Sequence, residues 1–351
     1  MTQQPPAITV LIAVHNGLPY LESAVRSIME QTFEDIEILI VDDASSDDSP
    51  AVLARLADED QRIRVITLET NLRLPGALNR GLDEARAPLV ARMDADDLAH
   101  PRRLEIQKAY MDAHPKVSLC GMSVRNIDAA GRVLKPAIRP RDTVATRWLA
   151  RFFMPLTHPT FVFRSRFEDG TAPRYHTDFP VTEDYDFVTR LLEKGQAVTL
   201  PDIGLDYRMH SQSTTHTQII RQKVDARIIA QRFQTHEMPF ELCEALAPFN
   251  AAFLGYQDTD PRALYAGLRA MITHDSALHP GHRRWIKRQG AQMAYIALRN
   301  TKRARIATLG AFARHGADFL PALALRAGET KRALPTALRS GQLFFRSAQG
   351  L

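Results

Sequence analysis

The chain has 351 residues, 45% hydrophobic and 24% charged, with a formal net charge of +5, the make-up of a soluble globular protein with one large core or one core plus a smaller addition. The two cysteines, Cys120 and Cys243, form no CxxC pair, which points to a reducing compartment and away from a thiolate metal site. The opening "MTQQPPAITV" has no basic stretch of the secretory kind, and no uncharged apolar run approaches the ~20 residues that span a bilayer.

From residue 8 onward, "ITVLIAV" (8–14), "IEILIVD" (36–42), "IRVITL" (63–68) and "PLVARM" (88–93) are short, β-branched and almost continuously apolar. Such runs predict strands covered on both faces. Between the first two, Leu18, Leu21, Val25, Ile28 and Met29 fall on one stripe and predict a helix over 18–31. "SSDDSP" (45–50) supplies capping chemistry for the next helix. This alternation predicts an α/β fold with a doubly wound, mostly parallel sheet.

Ligands on such sheets sit beyond the carboxyl ends of the strands. There the first strand runs into "HNG" (15–17), the second into "DDAS" (42–45) and the fourth into "DADD" (94–97). Three polar clusters on one edge suggest a site.

Past residue 115 the rhythm loosens. "VSLCGMSVRNIDAAGRVLKP" (117–136) reads as two strands around an Ala-Ala-Gly turn, and "THPTFVFRS" (157–165) as another strand. "TEDYDFVTRLLEKG" (182–195) reads as a helix with acids at its N-terminus and Gly195 as its C-cap. Residues 136–156 and 165–182 read as variable loops, and from 216 the chain reads as helical and basic. Residues 1–220 hold 25 Lys+Arg against 31 Asp+Glu, a net of −6; residues 221–351 hold 20 against 9, a net of +11. The asymmetry predicts two regions with different jobs.

Asp94, Asp96 and Asp97 gather at the mouth of a strand, where carboxylates repel one another. A solvated loop with a helix N-cap explains the cluster without a ligand; a divalent cation held by oxygen ligands turns the repulsion into attraction. In Asp94-Ala95-Asp96, an extended backbone puts both carboxylates on one side.

Five segments in this order, "ITVLIAVHNGLPYLESAVRSIMEQTFEDIEILIVDDASSDDS", "ARMDADDLAHPRRL", "HPTFVF", "TEDYDFVTRLLEKG" and "YRMHSQS", resemble glycosyltransferase family 2, inverting enzymes of GT-A fold. The resemblance covers about residues 7 to 215 and implies a catalytic domain over 1–215, with a nucleotide-sugar half (1–115) and an acceptor half (116–215), ahead of a helical region over 216–351. It implies a nucleotide-sugar donor, UDP-linked by expectation, a glycan or lipid-linked glycan acceptor, and Mn²⁺ or Mg²⁺. By the same resemblance Ala13, His15, Asn16, Asp42 and Asp43 line the nucleotide, with Asp43 accepting the N3–H of uracil. Asp94 approaches the ribose, Asp96 takes the metal, and Asp97 caps or orients the loop. An Asx cap on a strand-ending turn is the plain alternative for Asp42 or Asp43.

An inverting transfer needs a base to deprotonate the attacking hydroxyl. The resemblance makes Asp184 that base and gives Glu183 the task of positioning the acceptor, with Asp186 as runner-up; the alternative is that all three merely decorate a helix N-terminus. Arg208 and His210 become partners of the diphosphate and the metal, and His158 lines the acceptor side; a structural histidine is the alternative for each imidazole.

Competing readings fit less well. Phosphatases that begin with a strand and DxD continue with Gly and Thr, where this chain has Asp97 and Leu98. A nucleotidylyltransferase needs a Gly-rich basic loop after the first strand, and processive synthases carry QxxRW where "GHRRW" (281–285) has Gly281. A module that binds nucleotide or glycan without turnover remains the non-enzyme alternative.

Between 281 and 346, 14 Lys+Arg stand against Asp318 and Glu329, a net of +12. Trp285, Ile286, Met293 and Ile296, then "FLPALAL" (319–325) and "LFF" (343–345), interleave with the charge. This predicts either an interfacial segment on an anionic membrane or a helical cap packing on the catalytic domain or a homodimer partner. No nucleic-acid motif accompanies the charge. The expected location is the cytoplasm, peripheral to the inner face of the cell membrane.

Overall fold

The computed structural model describes residues 4–138, 141–210, 219–253 and 261–300. The chain divides between Asp225 and Ala226 into a sheet-containing unit and a helical unit.

The sheet unit begins β1 (Ile8–Val14), α1 (Leu21–Met29), β2 (Ile36–Asp42), α2 (Ser49–Glu59), β3 (Ile63–Thr67), α3 (Arg73–Glu84) and β4 (Leu89–Met93). It continues with β5 (Leu98–Ala99), α4 (Arg103–Ala113), β6 (Val117–Asp128), β7 (Val133–Ala137), α5 (Thr143–Ala150), β8 (Val162–Arg164), α6 (Glu183–Lys194) and β9 (Gln196–Met209). The strands form one sheet in the order β3-β2-β1-β4-β8-β6-β9-β5, with β7 paired to β6. β1 pairs in parallel with both β2 and β4, so the order reverses at β1, and loops beyond these three strand ends frame a crevice. The flanked, mostly parallel sheet and the helical region that follows are the expected architecture.

Burial explains the strand composition. All seven residues of β2 are buried, including Glu37, whose carboxylate accepts from Thr9 Oγ1 at 2.5 Å and Arg86 N at 2.7 Å. On α1 the stripe Leu21, Ala24, Val25, Ile28 is buried. The helix starts later than 18–31 predicts, leaving Leu18 36% exposed in the preceding turn. α3 lies so close to β1 that a Cβ on Gly81 would come within 2.2 Å of Leu11 Cδ1.

Two further expectations change. Residues 157–165 hold a 3₁₀ turn, His158–Thr160, before the three-residue β8, because Thr160 Oγ1 and N both bond to Thr157 O and fold the segment. Gly195 is the C-cap of α6, as expected, and adopts extended backbone (φ −168°). Space selects glycine there, since a Cβ would sit 1.9 Å from Ser118 Oγ. The segment 136–156 contains α5, capped by Asp142, which accepts from Ala145 N.

In the helical unit, α7 (Ile219–Glu237) crosses the division, followed by α8 (Phe240–Phe253), α9 (Pro261–Leu278) and α10 (Arg283–Asn300). Gln234 and Asn250 exchange amide hydrogen bonds at 3.2 and 2.7 Å inside it. Ile286 and Met293, two apolar positions of the basic C-terminal stretch, are buried in this unit at 0% and 3% exposure. The side chain of Ile296 and the segments 319–325 and 343–345 lie outside the described residues. No helix among the described residues is long and apolar enough to cross a membrane.

Candidate active site

The loops after β1 and β2 are fastened to each other. His15 Nδ1 donates to the carbonyl oxygen of Asp43 at 2.8 Å, and Asn16 Oδ1 accepts from Ser46 N at 2.8 Å. Asn16 and Gly17 amides donate to Ser45 Oγ and Ser49 Oγ, each at 2.9 Å. Asp42 takes the turn role, accepting from Ser45 N at 3.1 Å while its Oδ2 is buried with no hydrogen-bond partner. Asp43, 3% exposed, accepts from Leu72 N at 2.6 Å. Among the described residues, the non-glycine residues with positive φ are Asn16 (54°), Ala44 (55°) and Arg73 (62°). All three lie in the segments that wrap Asp43, and such strain persists where surrounding structure holds it, often at functional sites. Ala13, half-buried in β1, lies beside Val41 in the strand register.

The second wall is the acidic loop after β4. Asp94, Asp96 and Asp97 bring carboxylate oxygens within 4.8 Å of one another. Burial, followed by the charges of Asp96 and Asp94, holds the Asp97 carboxyl well above the usual range, and its Oδ2 is buried with no partner. Burial also raises Asp94, against the pull of Arg92, which forms an ion pair with it. The end of β9 closes over this loop. Arg208 N donates to Asp97 Oδ1 and Arg208 Nε to the Asp96 carbonyl, both at 2.7 Å, while the Arg208 guanidinium lies 4.4 Å from the Tyr20 ring centroid. His210 Nε2 is 2.8 Å from Asp96 Oδ2. Asp97 and Arg208 thus orient the loop, and "YRMH" reaches the acidic cluster.

A hard divalent cation fits this donor set: clustered oxygens, two carboxyls raised by burial and mutual repulsion, and an orphaned buried oxygen.

The third wall is the start of α6. Asp184 is half-buried, and Tyr185 N donates to its Oδ1 at 2.7 Å. Burial lifts its carboxyl to about 6; Arg92 pulls against that shift and the charge of Asp94 adds to it. Glu183, 6% exposed, is raised well above its ordinary value by burial and then by Asp184. His158 Nδ1 stands 3.8 Å from Glu183 Oε1, and its Nε2 is 2.9 Å from Tyr175 Oη. Burial and the charge of Arg92 hold His158 well below its ordinary pKa, which favours the neutral imidazole beside Glu183. Asp186, fully buried, is engaged by Arg190 Nε at 2.8 Å and His176 Nδ1 at 3.2 Å. Those contacts give the runner-up base a structural role.

Two members of the site had no role from sequence. Tyr175 is held by Asn79, which bonds its backbone N and O at 2.9 and 2.8 Å, and it stacks on Phe187 at 4.1 Å. Arg92 lies within "ARMDADD"; the available signal was a charged residue inside an apolar strand, two positions before Asp94.

The sequence model of the family described as "Glycosyl transferase family 2" matches residues 9–170. The O-antigen biosynthesis glycosyltransferase WbnJ of Escherichia coli is 30% identical over 213 residues, covering 59% of this chain and 81% of that protein. The amylovoran biosynthesis glycosyltransferase AmsE of Erwinia amylovora is 32% identical over 206 residues, covering 58% and 76%. Among solved structures, S. aureus TarS 1-349 in complex with UDP-GlcNAc superposes with a TM-score of 0.57 at 15% identity, covering 83% of this chain and 90% of that one. The mannosyltransferase PcManGT from Pyrobaculum calidifontis, in complex with GDP-Man and Mn²⁺, gives a TM-score of 0.51 at 19% identity, covering 98% and 86%. At these identities the structural likeness shows the shared fold.

Proposed function

The chain belongs to glycosyltransferase family 2, and from that premise we propose that it inverts configuration as it moves a sugar from a UDP-sugar to the hydroxyl of a glycan or lipid-linked glycan. The phosphatase-like alternative falls with family membership. The observation that carries the reading is the cluster of Asp94, Asp96 and Asp97 at the end of β4, whose carboxylate oxygens lie within 4.8 Å of one another with His210 Nε2 2.8 Å from Asp96 Oδ2.

Asp43 accepts from the base, with His15 and Asn16 shaping the loop against it, and Asp94 accepts from the ribose. Asp96, with His210 beside it, would hold Mn²⁺ or Mg²⁺, and Asp97 and Arg208 keep that loop in register. Bound there, the cation neutralises negative charge developing on the leaving diphosphate. Arg208 adds its positive charge from the same side.

Asp184 takes the proton of the acceptor hydroxyl as its oxygen attacks the anomeric carbon opposite the leaving nucleotide, in a single displacement without a covalent enzyme intermediate. A carboxylate with a pKa raised to about 6 is a stronger base than an ordinary one and is still mostly ionised at neutral pH. Glu183 orients the acceptor, and His158 lines its side of the site. WbnJ and AmsE, named for O-antigen and amylovoran biosynthesis, support a polysaccharide product, and the UDP-GlcNAc on TarS supports a UDP donor. The net charge of +12 over residues 281–346 supports peripheral docking of the C-terminal region on an anionic membrane surface as part of the reading. Thermal shift with UDP- and GDP-sugars, with Mn²⁺ or EDTA, tests donor and metal together. Stabilisation by a UDP-sugar that requires Mn²⁺ supports the reading, and stabilisation unaffected by EDTA contradicts it.

A further inference from the structure

Arg92 is 2% exposed on β4, a strand whose other residues are all apolar. A charge is buried only at a large desolvation cost, so its partners identify its task. Leu89, Ala91 and Met93 belong to the core on one face of the sheet. Strand alternation sends Arg92 to the other face, and Asp94, two residues on, follows it there. The two form an ion pair. Arg92 also acts electrostatically on Tyr175, Glu183, Asp184 and His158. Its Nε and Nη1 are buried with no hydrogen-bond partner. From behind, Arg103 Nη2 donates to the Arg92 carbonyl at 2.7 Å and Arg103 Nε to Gln107 Oε1 at 3.1 Å, while Gln107 Nε2 donates to the carbonyls of Cys120 and Thr160 at 2.9 and 2.8 Å.

A buried guanidinium with two orphaned nitrogens is a poor structural element, because well-packed apolar residues do that work at lower cost. Its place between acids from both halves of the site is what such a cation serves.

We propose that Arg92 is a positioning residue for transfer: it fixes the Asp94 carboxylate toward the donor and, from the same buried point, supplies the positive charge that lets the donor-side and acceptor-side acids stand together. The proposal rests on the donor and base roles given above to Asp94 and Asp184. Arg92 contacts Asp94 and Arg103 directly, and the other titratable groups its charge acts on are Glu183, Asp184, His158 and Tyr175. Arg92→Met removes both fork and charge; Arg92→Lys keeps the charge and loses the planar fork.

The test uses the full chain, with UDP and GDP binding measured by calorimetry in Mn²⁺ and nucleoside diphosphate release measured from the corresponding sugars. Arg92→Met should weaken the preferred diphosphate at least tenfold, raise donor KM at least tenfold, and move the acidic limb of the pH–rate profile upward from wild type. Arg92→Lys should keep the wild-type acidic limb while still weakening the diphosphate, a split that loss of packing would not produce. The double variant Arg92→Met/Asp94→Asn should bind no worse than Asp94→Asn alone, since the two act as one unit. If Arg92→Met fails to fold, the Arg92→Lys split carries the test. Wild-type diphosphate affinity in a folded Arg92 variant overturns the proposal. Near wild-type turnover in Asp184→Asn instead sinks the base assignment, and leaves the affinity comparison to decide Arg92.

Discussion

His210 Nε2 meets Asp96 Oδ2 at 2.8 Å across 114 residues of sequence. The contact ties the end of β9 to the acidic loop after β4 and gives that loop an imidazole nitrogen next to its carboxylates. If the pair holds the cation, Asp96→Ala should weaken UDP binding in Mn²⁺ at least tenfold, and His210→Ala by less. EDTA should bring wild type down to the level of Asp96→Ala. Isothermal calorimetry checks this; equal UDP affinity for all three proteins in EDTA and in Mn²⁺ would remove the metal from the account.

Rate should depend on pH through Asp184. Its carboxyl is raised to about 6, chiefly by burial, and a base works only when deprotonated. kcat/KM should therefore rise with pH through about 6 and level off above it, with activity lost as pH falls below. A profile flat from pH 5 to 8 would show that no group with this pKa governs transfer.

Asn16 supports two separable effects. It is left-handed (φ 54°), and its side chain bridges to Ser46 N. Asn16→Gly removes the bridge but accepts the backbone angle, whereas Asn16→Ala removes the bridge and is strained. Chemical denaturation should find Asn16→Ala less stable than Asn16→Gly by about 1 kcal/mol, the typical cost of a left-handed alanine. Both should bind UDP more weakly, because the 45–47 loop loses its anchor. Equal stability of the two would mean the loop relaxes and stores no strain.

The helical unit has its own tight point. A Cβ on Gly267 of α9 would come within 1.8 Å of the Ala245 carbonyl oxygen in α8. A backbone atom cannot step aside as a side-chain tip can, so Gly267→Ala should destabilise the helical unit by about 1–3 kcal/mol. Thermal unfolding followed by circular dichroism reads this. A variant as stable as wild type would show that these helices can slide apart freely.

What could be read in advance depended on how each segment reports its burial. Strands β1 to β4 are covered on both faces, so they spell themselves as apolar runs, and the polar clusters that follow them mark the crevice. β9 stayed hidden: "QAVTLPDIGLDYRM" exposes Pro201 and Asp202, and its register with β6 shifts around Ser123, so no simple period survives. The candidate acids were legible because clustered carboxylates are costly without a partner. Arg92 and Tyr175 were not, since their roles depend on which strands and loops meet.

The most direct test of the central claim is nucleoside diphosphate release by Asp184→Asn, from the nucleotide sugar the wild type turns over in Mn²⁺. Asparagine keeps the size of the side chain and removes the proton acceptor, so donor affinity should stay at the wild-type level. Release should fall by about 10²–10⁴-fold, the usual contribution of a general base. Release at the wild-type rate with donor bound normally would contradict the assignment of Asp184 and the inverting mechanism built on it.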